Sequence, residues 1–153
     1  MIVNSTIEET LNKVDSFIAT PVGRSMMPIL RESKDTVVLE RLTESPKKYD
    51  MLLYKRKNGK YVLHRLLEIR ENDYVMCGDN QLIKEYGIKD ENIIGICKGF
   101  YRKEKYIDCQ NKLYLMYVRL WCISLSLRKV LIFPMNFSFR VKGHLARKFR
   151  SHK

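Results

Sequence analysis

A serine hydroxyl attacks a carbonyl at neutral pH only when a neighbouring base takes its proton, and the sequence sets one alcohol and one imidazole in suggestive surroundings. Ser25 lies in Gly23-Arg24-Ser25-Met26-Met27-Pro28, where a glycine and a proline constrain the backbone and a loop can present the side chain. His64 lies in the apolar run Tyr61-Val62-Leu63-His64-Arg65-Leu66-Leu67 and, by strand alternation, shares a face with Val62 and Leu66. An unperturbed pKa of about 6.5 leaves an imidazole largely unprotonated at pH 7. Arg65 beside it stays protonated and cannot serve as a base. Taken singly, each residue also has a plainer account: Ser25 as a turn residue before Pro28, His64 as a hydrogen-bonded core histidine. Cys77 is a formal alternative nucleophile, although strand-borne cysteines mostly pack. A histidine base is usually oriented by an acid. Asp79, in Gly78-Asp79-Asn80, is one candidate, but its side chain can equally cap that turn.

The three segments stand in a fixed order: Ser-Met-x-Pro, then a histidine-bearing strand, then Gly-Asp-Asn. In this they resemble the superfamily of serine peptidases that joins signal peptidases to the self-cleaving phage-repressor (LexA-like) type. The resemblance covers residues 23–100, about half the chain. The stretches GRSMMPIL, YVLHRLLEI and IIGICKGFYR also look like small stand-alone bacterial members of the group. It implies Ser25 as nucleophile and His64 as general base, following the histidine branch rather than the lysine branch. It implies Glu85 as orienting acid, since Glu85 stands where histidine-type relatives carry a second aspartate. Asp79 is then structural, with Asp90 a third option. The backbone N–H of Ser25 is the implied oxyanion donor, and Met26 and Met27 the implied substrate contacts. The chain departs from the pattern at Gly23, where many relatives place a hydroxyl, and at Tyr49-Asp50, where they usually carry Gly-Asp. The implied activity is a serine endopeptidase that removes a leader or signal-like peptide. Its alternative is a catalytically weak or inactive peptide-binding or adaptor module on the same fold. Self-cleavage of the repressor kind would need a DNA-binding domain, for which the 24 residues before Ser25 leave no room.

The elements that must position these residues are mostly strands. Residues 5–17 read as a short helix capped by Ser5 or Thr6, with Ile7, Leu11, Val14 and Ile18 at helical spacing. Pro21 and Gly23 break that pattern, and Pro28 biases Met27 towards extended backbone, so the chain should leave Ser25 along an edge. Strands are expected at 36–42, 51–56, 61–69, 74–77 and 93–101, separated by turn signals that include Asn58-Gly59, a hairpin signature. The expected class is mainly β: a folded antiparallel sheet with a short N-terminal helix and a helical, basic C-terminal segment. The peptidase body is assigned to residues 1–109 and the amphipathic segment to 110–153.

Composition sets the remaining bounds. The net charge of +12 is unevenly spread: residues 110–153 hold ten Lys or Arg and no acid, leaving 19 basic and 17 acidic residues in the first 109. The body therefore recognises its substrate by something other than net charge. The apolar run 113–132 carries Arg119, Arg128 and Lys129, which are costly in hydrocarbon. It reads better as an interfacial segment against an anionic membrane surface or a partner protein, with Tyr114, Tyr117, Trp121 and Phe133 suited to an interface. The competing account has Leu115, Val118, Cys122 and Leu125 packing onto the body. Nucleic acid is not an expected partner, because no recognised DNA-binding motif accompanies the charge. Four cysteines without a C-x-x-C pair and three histidines give no zinc spacing, so neither metal nor cofactor is expected. The first twenty residues lack the apolar core of an export signal, which points to a cytoplasmic chain, peripheral at the inner face of the membrane.

Overall fold

The computed structural model describes residues 6–123 together with Arg128 and Val130. It opens with α1 (Ile7–Lys13). Thr6 caps this helix by accepting from the Glu9 N–H at 3.2 Å, while the Glu9 carboxylate accepts from the Thr6 N–H at 3.1 Å. The helix ends at Lys13, short of the 5–17 expected. Val14 is already extended, and Ser16–Ala19 forms β1 instead. Val14 and Ile18 consequently stand exposed rather than on a buried helical face. Pairing along β2 gives one edge of that backbone cross-strand hydrogen bonds, which an extra turn on a short isolated helix does not outweigh.

Seven further strands follow: β2 (Asp35–Glu40), β3 (Met51–Lys55), β4 (Tyr61–Ile69), β5 (Tyr74–Cys77), β6 (Glu85–Ile88), β7 (Ile93–Arg102) and β8 (Lys105–Asp108). The five expected strands are all present. The strands β1, β6 and β8 were not legible, because four-residue, largely exposed segments such as Lys-Tyr-Ile-Asp carry no apolar run. Among the described residues the eight strands form one antiparallel sheet in the order β1-β2-β7-β3-β4-β5-β6, with β8 paired to β7. One edge of β7 is shared: Ile93–Ile96 pairs with β3, and Gly99–Arg102 pairs with β8. The protein is mainly β.

The central strand β3 is buried on both faces, and the two faces belong to two apolar clusters. Met51 and Leu53 join Leu11, Met26, Leu30, Val37, Leu39 and Phe100 in one; Leu52 and Tyr54 join Leu66, Met76, Ile88 and Ile96 in the other. After β8 comes α2 (Lys112–Ile123), which buries Tyr114 and Val118 in the first cluster, with Leu115 and Cys122 packed against it. The described part of the basic segment thus packs on the body. The stretch 140–153, with Leu125 and Phe133 of the apolar run, lies outside the described residues. Among the described residues no helix is long and apolar enough to cross a membrane.

Candidate active site

Position 64 is fixed by the β3–β4 hairpin. Asn58-Gly59 closes it: the Gly59 N–H donates to Arg56 O at 2.8 Å and the Arg56 N–H donates to Lys60 O at 2.9 Å. That turn sets the register Tyr54↔Val62 and Leu52↔His64. With side chains alternating, Tyr54 and His64 become diagonal neighbours on one face, and Arg65 goes to the other. His64 is 1% exposed. Its Nδ1 lies 3.2 Å from Glu85 Oε1 and 3.1 Å from the hydroxyl of Tyr54, which itself donates to the Glu85 carboxylate. Arg56 closes the group from behind, donating its Nε to Glu85 Oε2 at 2.8 Å and a second N–H to Oε1.

Burial decides the protonation state of this cluster. It pushes the imidazole down to about 4, against the pull of the Glu85 charge in the other direction. His64 is therefore neutral at pH 7. Burial also disfavours the Glu85 carboxylate, but hydrogen bonds from Arg56 and Tyr54 outweigh it and hold the carboxyl below its usual range. Burial, then the charge of Glu85, raises the Tyr54 phenol, so it stays protonated. A carboxylate facing Nδ1 assigns the imidazole proton to that nitrogen, which leaves a lone pair on Nε2. The arrangement is that of an oriented neutral base.

Ser25 reaches the same place from a run of turns. The Met27 N–H donates to Arg24 O at 3.2 Å and the Leu30 N–H to Met26 O at 2.9 Å, across a cis Met27–Pro28 bond. The chain thus curls beyond Ser25 rather than leaving along an edge. Ser25 and His64 line one cleft of about 360 Å³, whose walls include Ala19, Val22, Met26, Leu53 and Leu63. Met26 is buried in the cleft wall; Met27 is not among the residues lining it.

The Gly-Asp-Asn turn positions the serine rather than the histidine. The Asn80 N–H donates to the Ser25 carbonyl at 2.7 Å, and a Cβ on Gly78 would meet that same oxygen at 2.6 Å. Only glycine permits this approach. Both Asp79 oxygens accept from Arg65, at 2.8 and 2.6 Å, in a pair with neither side chain more than 1% exposed. Asp79 is thereby committed away from His64. Asp90 accepts from the Tyr74 hydroxyl at 2.5 Å and has no place in the cleft. The Cys77 thiol has the carbonyls of Gly78, Gln81 and Ile83 within 3.4–3.5 Å as acceptors for its one proton, and burial pushes its pKa up, which disfavours a thiolate.

Both departures from the motif pattern have local reasons. Gly23 has φ +98, and its N–H donates to Glu32 at 3.1 Å, so a side chain there would be strained. Tyr49 keeps the left-handed conformation that glycine favours, with φ +80, and spends its carbonyl on Arg65 at 2.8 Å. The sequence reading missed Tyr54 and Arg56, although the Asn-Gly hairpin register would have placed Tyr54 beside His64. It also missed the contribution of the C-terminal segment. Trp121 Nε1 donates to Asp79 O at 3.0 Å, and the buried Arg128 donates to Gly78 O at 3.1 Å. No local signal announces such contacts.

Among the described residues no three His, Cys, Asp or Glu side chains gather to hold a metal, and all four cysteines are free. No family model matches the chain, and no curated protein or solved structure matches it significantly.

Proposed function

We propose that this chain is a serine endopeptidase with a signal-peptidase and repressor-protease type of folded sheet, acting on a leader or signal-like peptide. One observation carries the reading: Ser25 and a buried, neutral His64 line the same cleft, with the Glu85 carboxylate at Nδ1. In the proposed reaction Nε2 of His64 takes the Ser25 proton as Oγ attacks the scissile carbonyl. The Ser25 N–H faces the developing oxyanion. The protonated imidazole then gives its proton to the leaving amine, the acyl-enzyme forms, and water activated by His64 releases the new carboxylate. Glu85 stabilises the transient imidazolium, and Arg56 and Tyr54 hold Glu85 in place. The apolar cleft walls favour an extended peptide with small or aliphatic side chains.

A second reading is favoured by a specific observation: a base held down to about 4 is a weak proton acceptor. On it, the cleft binds peptides and cleaves them slowly or not at all. Labelling with a fluorophosphonate probe separates the two. The endopeptidase reading expects covalent modification at Ser25 that disappears in both Ser25→Ala and His64→Ala. Labelling of His64→Ala at the wild-type rate would exclude the dyad, and peptide binding without any labelling would establish the second reading.

A further inference from the structure

The helix α2 is apolar on two faces, and only one of them is used. Tyr114 and Val118 face the core, while Leu113, Met116, Leu120 and Ile123 stand 73, 56, 60 and 70% exposed. Their spacing, i, i+3, i+7 and i+10, confines them to a stripe of about 80° on a helix of 3.6 residues per turn. Lys112 and Arg119, both exposed, run along one side of that stripe.

We infer that the outer face of α2 docks on an anionic lipid bilayer, the aliphatic stripe entering the acyl boundary while Lys112 and Arg119 meet lipid phosphates. The charge pattern selects this occupant. Residues 110–153 contain ten basic residues and no acidic one, so the whole segment is attracted to a negative surface and repelled by a second copy of itself. Four neighbouring apolar side chains suit a fluid apolar phase, which needs no shape complementarity. The inner face supplies rigidity: Arg65 donates to the Tyr114 hydroxyl at 3.2 Å, and Trp121 and Arg128 grip the Gly78–Gln81 turn. Docking through α2 would therefore hold the turn that carries the Ser25 carbonyl close to the membrane. The inference is independent of whether Ser25 is catalytic, since neither readout below uses turnover.

Flotation of the full chain with phosphatidylglycerol-containing vesicles, against pure phosphatidylcholine vesicles, tests it. Association is expected with the anionic vesicles and should weaken at high salt. The Leu113→Ser/Leu120→Ser variant should lose at least about tenfold in partitioning, since each leucine forfeits its buried area. Lys112→Gln/Arg119→Gln should weaken the preference for anionic lipid. Flotation of the serine variant equal to wild type would overturn the proposal. So would serine-sensitive dimerisation in solution without vesicle binding, which would make the stripe a contact between copies.

Discussion

On one face of β4 the imidazole of His64 meets Glu85; on the other, one residue along, the guanidinium of Arg65 meets Asp79. Each sets a carboxylate against a basic side chain of β4. In the Arg65–Asp79 pair every strong partner is spent: two parallel N–H to carboxylate bonds, with Tyr49 O and the Tyr114 hydroxyl taking a further N–H. In the other cluster burial has removed the charge from the imidazole, and Glu85 is balanced by Arg56 at the margin of solvent. The first cluster is closed and structural. The second sets a neutral imidazole against a carboxylate through Nδ1, which is the arrangement the proposed base requires.

Three measurements break or sharpen that contrast. Asp79→Asn should be the most damaging, because it strands the Arg65 cation in the core; a loss of about 3–5 kcal/mol in urea unfolding is expected. A loss under about 1 kcal/mol would mean the pair is dispensable. Next comes the pH dependence of stability. The folded pKa of His64, about 4, lies below the unstructured 6.5, so the unfolded chain binds the proton more tightly. Stability should be complete above pH 6.5 and decline as pH falls towards 4, by about 3 kcal/mol for a shift of this size. His64→Gln should flatten that part of the profile, and an unchanged slope would place the titration elsewhere. The smallest stability effect is expected from Glu85→Gln, under about 1 kcal/mol, since Arg56 can turn to solvent. Its labelling by a serine-reactive probe should nevertheless slow by about 100-fold or more, because the imidazole loses its orienting acceptor. Opposite rankings of Asp79 and Glu85 in the two assays would reverse the assignment of roles.

The same contrast explains what could be read in advance. Ser25 and His64 could be singled out because motif order and strand alternation are local properties, and the Asn58-Gly59 hairpin fixes which face His64 takes; Glu85 was named only through the resemblance, and its place at Nδ1 comes from the pairing of β5 with β6. The resemblance implied Met27 as a substrate contact, but with the turn at Arg24–Leu30 it is Met26 and not Met27 that lines the cleft. The length of α1 was overestimated because Val14 and Ile18 continue a helical spacing that the pairing of β1 with β2 overrides. The double use of α2, core on one side and exposed aliphatics on the other, could not be read from an apolar run that is hydrophobic nearly all round.

By itself the sequence determined the strand-rich body, the hairpin register, the uneven charge, and the presence of an alcohol, an imidazole and several carboxylates at motif spacing. These depend on steric preference, periodicity and composition, which act over a few residues. Only the tertiary structure decided which carboxylate faces His64 and which is consumed by Arg65. It also decided that the Gly78–Asn80 turn supports the Ser25 carbonyl and that α2 braces that turn from behind. Those outcomes depend on desolvation and on partners tens of residues apart, and neither exists until the sheet has closed.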